Sequence, residues 1–297
     1  MLHTHANQND PTSHCNVGCR PFLKWTGGKQ RLLSSLLPLL PKGSRLIEPF
    51  VGAGSVCLAA DYMSYLINDA NPVLSAVWLA LQQKPNEFIS KAELYFCEEY
   101  RSQSSCLDIR ERFNSEPCMF GRAVMLPYLN RFGFNGLFRV NRLGKLNTPY
   151  GYPRKVPNFP TKSFALASLK LQSCLVTSGD YKAAVAQAGP SDVVYCDPPY
   201  LVVSGARKKE IPYTVSSFGS PEFYELVRIC EDAVQRGAAV AISNLDCEQS
   251  RRALANWKLY ELNVSSTVSG NASGRRVRGE LFAVGLPRKF SVCMSLN

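Results

Sequence analysis

Histidine is nearly missing from this chain. Its three copies, His3, His5 and His14, all lie in the first fourteen of 297 residues. The body therefore offers no imidazole for a Ser-His-Asp or Cys-His nucleophile system, nor for a multi-histidine metal site. Chemistry must fall to carboxylates, hydroxyls, backbone groups or a bound cofactor. Long apolar runs are missing too: none approaches the roughly 18 residues that span a bilayer. The opening MLHTHANQNDPTSH is too polar for the core of a signal peptide, so a cytoplasmic protein without a membrane partner is expected. The eleven cysteines lack any repeating spacing, and several sit in apolar runs (Cys57, Cys174, Cys196, Cys230). Reduced core thiols are expected rather than disulfides. His14, Cys15 and Cys19 hint at metal ligands, but no second cluster follows at zinc-finger spacing, so no metal is expected.

Acidic residues vanish from Pro117 to Gly179, 63 positions that carry nine cations: Arg122, Arg131, Arg139, Arg142, Lys145, Arg154, Lys155, Lys162 and Lys170. Most of the formal charge of +11 is therefore local, and such a balance calls for a polyanionic partner. A merely solvated basic face would intersperse acids to limit self-repulsion. Aromatic residues and glycines are interleaved here (Phe132, Phe134, Phe138, Tyr150 and Tyr152 with Gly133, Gly136, Gly144 and Gly151). That mixture suits phosphate contact and base stacking. The segment reads as an inserted, partly helical recognition module for nucleic acid.

Elsewhere short apolar runs alternate with longer amphipathic ones, the pattern of an α/β fold. Residues 1–20 read as a flexible tail. Candidate strands are Arg45–Glu48, Tyr65–Asn68, Asp192–Cys196 and Ala238–Ser243, and runs at Leu259–Val264 and Glu280–Val284 read as a closing hairpin at the sheet edge. The first four strands lead into Glu48, Asp69, Asp197 and Asn244, and open parallel sheets bind ligands beyond the carboxyl ends of their strands.

Asp197-Pro198-Pro199-Tyr200 directly follows Val193-Val194-Tyr195-Cys196. Two prolines stiffen the strand exit and remove two backbone donors, leaving carbonyl acceptors beside the carboxylate. An exocyclic amine fits such a corner: Asp197 accepts one N–H, the Pro198 carbonyl accepts the other, and Tyr200 covers the ring face. The electrophile would come from a bound ligand at Phe50-Val51-Gly52-Ala53-Gly54, where glycines permit close backbone approach. Asp69, seventeen positions after Gly52, suits ribose hydroxyls. No triphosphate cradle of the G-x-x-x-x-G-K-S/T type is present, so an adenosine-bearing ligand without a triphosphate is expected.

With Lys24-Trp25-Thr26-Gly27-Gly28-Lys29 upstream, this motif order resembles the Dam-type DNA adenine-N6 methyltransferases from about Pro21 to Gly285. Tyr128 to Arg139 looks like that family's target-recognition segment, and Ile242-Ser243-Asn244 like one of its strands. The resemblance implies a seven-stranded, Rossmann-like α/β methyltransferase sheet, with catalytic parts at 21–75 and 165–297 and an inserted, mainly helical DNA-recognition domain at 76–164. It implies S-adenosylmethionine as cofactor, S-adenosylhomocysteine as product, and double-stranded DNA as partner, with GATC as site. Trp25, Lys29, Asp69 and Asp197 would meet the cofactor, joined by Phe50, Gly52 and Gly54. Asp197, Pro198, Pro199 and Tyr200 would form the catalytic corner. Lys24, Leu137, Arg139 and Pro149 match base-touching positions, and Phe134 with Asn135 matches the loop that fills space near an extruded base. No obligate protein partner is implied, and the location would be cytoplasmic, with the nucleoid. The stretch after Gly151 departs from the family pattern, as does Ser265–Gly279, which has no basic residue before Arg275. An RNA adenine or DNA cytosine-N4 methyltransferase, or a non-catalytic DNA-binding protein of the same fold, stays open at this level.

Overall fold

A computed structural model describes residues 20–201, 218–262 and 279–287. Its frame is one seven-stranded sheet: β1 (Arg45–Glu48), β2 (Ser64–Asp69), β3 (Cys174–Ser178), β4 (Asp192–Cys196), β5 (Ala239–Leu245), β6 (Lys258–Leu262) and β7 (Glu280–Gly285). The spatial order is β3-β2-β1-β4-β5-β7-β6. Strands β3, β2, β1, β4 and β5 are mutually parallel, while β7 runs antiparallel to both β5 and β6.

The sheet is covered on both faces because its strands are apolar on both. Leu46, Tyr65, Ile67, Val193, Tyr195, Ala239 and Phe282 point to one side. Ile47, Leu66, Val194, Cys196, Val240, Ile242 and Leu281 point to the other, as the period of two requires. The first face packs on short helices α1 (Leu33–Leu36) and α2 (Ser55–Ala59) and on α3 (Pro72–Gln83), α4 (Pro85–Glu93), α5 (Gln103–Ser115), α6 (Met119–Phe132) and α7 (Thr161–Lys170). The second packs on α8 (Tyr181–Val185) and α9 (Ser220–Gln235), with α10 (Glu248–Ala253) near the end of the chain.

Local sequence explains several boundaries. Asn71 caps α3, its Oδ1 accepting from the Val73 and Leu74 amides at 3.0 and 3.3 Å, with Pro72 at the first helical position. Helix α6 is apolar nearly all round, from Ala123 to Phe132, and is correspondingly buried. The expected segment limits at 76 and 165 fall inside α3 and α7. Both helices belong to the same buried cluster as β1 and β2.

Two strand expectations change. Strand β3 was not expected from sequence: it is an edge strand with a half-exposed Leu175 and no long apolar run, so hydropathy does not reveal it. The expected hairpin exists as paired β6 and β7, but only β6 lies at the edge, and β7 is inserted between β5 and β6. Residues 263 and 264 of that expected run lie outside the described residues. The eight described cysteines are free, and no described helix is long and apolar enough to cross a membrane.

Trp78 ties the helical layer to the sheet. It is fully buried, meets Phe22 edge-on at 4.9 Å, and donates Nε1 to the Gly52 carbonyl at 3.2 Å. Trp78→Ala should lower the unfolding free energy by about 3–5 kcal/mol, read from urea denaturation. A loss under about 1 kcal/mol would contradict this packing.

Candidate active site

The chain passes from β1 to β2 and β3 on one side, then returns to lay β4 and β5 on the other. The crevice between the carboxyl ends of β1 and β4 is thus the switch point where doubly wound sheets bind ligands. Two of the expected motifs open there, Phe50–Gly54 after β1 and Asp197–Tyr200 after β4.

Gly52 and Gly54 have φ of 53° and 69°, in the left-handed region. A Cβ on Gly54 would lie 2.6 Å from the Trp78 ring, and one on Gly52 would lie 3.2 Å from Trp25. Glycine is therefore needed twice, and the turn keeps a bare backbone toward the crevice. Asp69, the last residue of β2, braces this turn: Oδ2 accepts the Gly52 amide at 3.0 Å and Oδ1 the Asn71 amide at 2.8 Å. Burial pushes its pKa up to about 6 although the two amides pull it down. Each oxygen keeps a further lone pair for a ligand hydroxyl. Phe50 stacks on Tyr181 at 5.1 Å and meets Phe218 edge-on at 6.0 Å. Trp25 leans on Phe138 at 5.7 Å, joining the glycine turn to the basic segment.

The charged centre is Lys29, only 3% exposed. Its Nζ lies 2.5 Å from Asp197 Oδ1, 3.0 Å from the Tyr200 hydroxyl and 3.4 Å from Glu280 Oε1, and it donates to the Gly27 carbonyl at 3.1 Å. The Tyr200 hydroxyl donates to Glu280 Oε2 at 2.8 Å. Burial works against the ammonium charge, but Asp197, Tyr200 and Glu280 together hold the Lys29 pKa above its ordinary value. Burial also pushes Asp197 up to about 6, against the pull of Lys29. Asp197 is thus ionised at neutral pH yet more basic than a surface carboxylate. Pro198 is buried beside it and Pro199 exposed.

Structure also locates the expected recognition residues. Leu137 and Arg139 are half-buried, Phe134, Asn135, Pro149 and Lys24 exposed. Asn135 takes a left-handed φ of 55°. Arg139 and Asn147 face each other across a small antiparallel hairpin: Arg139 Nε donates to Asn147 Oδ1 at 2.8 Å and Nη2 to its carbonyl at 2.9 Å. The guanidinium is held in one orientation before any partner arrives. Lys24 is brought to this segment by Asn130, whose side chain bonds the Lys24 amide and carbonyl at 2.8 and 2.7 Å and the Gly136 carbonyl at 2.8 Å.

Not all nine cations of the acid-free segment face outward. Arg131 donates to the Phe22 carbonyl, and burial lowers its pKa. Lys170 turns inward to the Ala60 carbonyl and the Tyr65 hydroxyl. Arg142, Lys145, Arg154, Lys155 and Lys162 are exposed and carry the outward charge.

Asn244, singled out at the end of its strand, is indeed at the end of β5: its Oδ1 accepts from the Leu201 and Leu245 amides while its Nδ2 has no partner among the described residues. Sequence reasoning missed three residues of this region. Glu280 comes from β7. Tyr181 forms the far side of the Phe50 stack. Asn130 is buried within a helix. Glu280 is a polar residue at the end of an apolar strand run, but which end faced the crevice depended on strand direction.

A family model, D12 class N6 adenine-specific DNA methyltransferase, matches residues 25–268. The DNA adenine methylase of Vibrio cholerae is 38% identical over 270 residues, covering 90% of this chain and 96% of that protein. That of Escherichia coli is 37% identical over 268 residues with the same coverage, and that of Serratia marcescens 35% identical over 266 residues, covering 89% and 98%. The match takes in every motif of the crevice from Trp25 to Asn244, in order, on a sheet whose switch point brings them together. The chain belongs to the D12 class of N6 adenine-specific DNA methyltransferases.

Proposed function

We propose that this DNA adenine methyltransferase uses S-adenosylmethionine to methylate the adenine of GATC in duplex DNA, with Asp197, Pro198, Pro199 and Tyr200 as its catalytic corner. The observation that carries this reading is the Asp197 carboxylate at the carboxyl end of β4: Oδ1 is tied to Lys29, while Oδ2 carries no hydrogen bond among the described residues.

Three features fit the cofactor. The glycine turn is backed by Trp25 and Trp78 and shows bare backbone. Asp69, beside the glycine turn, would accept ribose hydroxyls, and the Phe50–Tyr181 stack offers a flat apolar wall. Lys29, Asp197 and Glu280 together leave one net negative charge, which suits a cationic sulfonium. When bound, S-adenosylmethionine supplies an electrophilic methyl group, leaving S-adenosylhomocysteine; no metal enters the scheme.

The protein's part is to aim and polarise an amine. Asp197 Oδ2 accepts one N–H of the adenine and the Pro198 carbonyl the other, so the nitrogen lone pair is freed from the ring to attack. The Tyr200 ring covers the base. As the nitrogen gains a bond its remaining protons become acidic, and one leaves to Asp197 or water. Positioning and fixed electrostatics then supply most of the rate. A stacked adenine hides its reacting atom, so the base leaves the helix, and Phe134 with Asn135 fills the space. Lys24, Leu137, Arg139 and Pro149 read neighbouring bases from residues 76–164 and the segment before β1, while residues 21–75 and 165–297 bind the cofactor. The location would be cytoplasmic, with the nucleoid where duplex DNA lies, and the scheme calls for no obligate protein partner.

Asp197→Asn should keep the fold while removing turnover: Lys29 holds Oδ1, so the amide NH₂ faces the adenine amine, donor against donor. A fall of at least about 100-fold in single-turnover rate is expected; near-wild-type turnover by a folded variant would refute the corner. Because Asp197 must be ionised to accept, and its pKa is raised to about 6, the rate should rise with pH up to about 6 and level off above. A profile flat from pH 5 to 8 would contradict that role. Arg139→Ala should lower discrimination at one guanine of GATC by roughly 5- to 150-fold, about 1–3 kcal/mol, measured against single-base variants. An equal fall on every duplex would make Arg139 a phosphate contact instead, and preferred methylation of RNA or of cytosine would displace the GATC reading.

A further inference from the structure

Strand β7 is the reversed strand of the sheet, so it begins where its antiparallel neighbours β5 and β6 end. Its first residue, Glu280, lies level with Leu245 at the end of β5 and Leu262 at the end of β6. This reversal delivers an acid from the C-terminal part of the chain to the catalytic edge. The other β7 residues from Leu281 to Val284 are buried and apolar, and Glu280 itself is only 4% exposed.

Fold stability alone does not call for a carboxylate there. Among the described residues, Glu280 Oε1 has no hydrogen-bond donor and only Lys29 as a cation, 3.4 Å away, and Lys29 is already paired more closely with Asp197. A buried carboxylate so weakly compensated costs several kcal/mol of desolvation, and an apolar side chain would pack at least as well. What Glu280 does have is a grip on both partners of the reacting base: the Tyr200 hydroxyl at 2.8 Å and the Lys29 ammonium that holds Asp197.

Resting on the catalytic corner proposed above, we infer that Glu280 is a positioning residue for methyl transfer: it anchors the Tyr200 ring and shares Lys29 with Asp197, so that Asp197 stays a strong acceptor for the amine. Without Glu280, Lys29 would pair with Asp197 alone and drain its basicity, and Tyr200 would lose the bond that fixes its ring. Asn244, one strand away, holds the next residue by accepting the Leu201 amide, so β5 and β7 clamp consecutive residues of the corner. Among the described residues, the ionisable groups that interact with the corner are Lys29 from the N-terminal segment, Asp197, Tyr200, Tyr195 and Cys196 from β4 and its exit, Glu48 from β1 and Glu280 itself. Among them, the Glu280 charge adds to the upward push on Asp197.

Two variants separate anchoring from charge. Glu280→Gln keeps an acceptor for the Tyr200 hydroxyl but removes the charge. Its plateau rate should stay within about threefold of wild type, while the acid limb of the single-turnover profile moves to lower pH by about half a unit or more. A ¹³C carboxyl NMR titration of the cofactor-free protein should show the Asp197 midpoint moving the same way. Glu280→Ala removes both functions and should lower kcat by about tenfold or more with KM for DNA within twofold. Unmoved Asp197 titration and limb in Glu280→Gln overturn the inference; so does a wild-type kcat in folded Glu280→Ala. If the alanine variant does not fold, the glutamine variant decides alone. Asp197→Asn run alongside keeps the two readings apart. Full turnover there removes the corner itself, whereas an inactive Asp197→Asn with wild-type Glu280 variants removes only the role of Glu280.

Discussion

One buried ammonium holds the chemical end of this molecule together. Lys29 comes from the segment before β1, Asp197 and Tyr200 from the exit of β4, and Glu280 from the start of β7, yet all meet at a single nitrogen. A lysine that is almost wholly buried survives charged only because oxygens from distant parts of the chain surround it. The same arrangement makes the site dependent on the complete sheet, since moving β7 would take Glu280 from Lys29 and the Tyr200 hydroxyl, and moving the segment before β1 would leave two carboxylates without their ammonium. Under the proposed function it also sets the acceptor strength of Asp197, the property that an amine nucleophile would most need from its neighbour.

A second link ties this charged centre to the basic segment. Asn130 grips the backbone of Lys24 on both its amide and its carbonyl while also bonding the Gly136 carbonyl, and a Cβ on Gly136 would come within 2.6 Å of the Lys24 side chain. Lys24 lies next to Trp25 and five residues before Lys29, so the length of chain that carries the charged centre is bolted to the loop at Gly136. Arg139, fixed on Asn147, follows three residues later. Under the proposed function, reading a base and reacting with one would thereby be held in a single frame, the condition for positioning to contribute to rate.

Residues whose role follows from local chemistry were legible in the sequence. The Asp-Pro-Pro-Tyr corner, the glycine turn and Asp69 announce themselves by composition and by their place at strand ends, and the structure brings them to one crevice. β3 was not legible, because an edge strand half open to solvent needs no apolar run. Glu280 was not legible either: its importance depends on β7 running backwards between β5 and β6, a fact of topology that no local pattern encodes. Charge was legible in amount but not in direction. Arg131 and Lys170 look like the other cations of their segment in sequence, yet both are spent on carbonyls and a phenol inside the fold.

If this crevice methylates the exocyclic amine of one adenine in a defined DNA site, the mark will be written into DNA the protein meets. Modified-base mapping of genomic DNA, from a methylation-free host expressing the full chain, reads that mark. N6-methyladenine is expected at GATC on both strands and at no other sequence. Methylated cytosine, adenine methylation without a shared GATC context, or unmodified DNA in cells that contain the folded protein would contradict it.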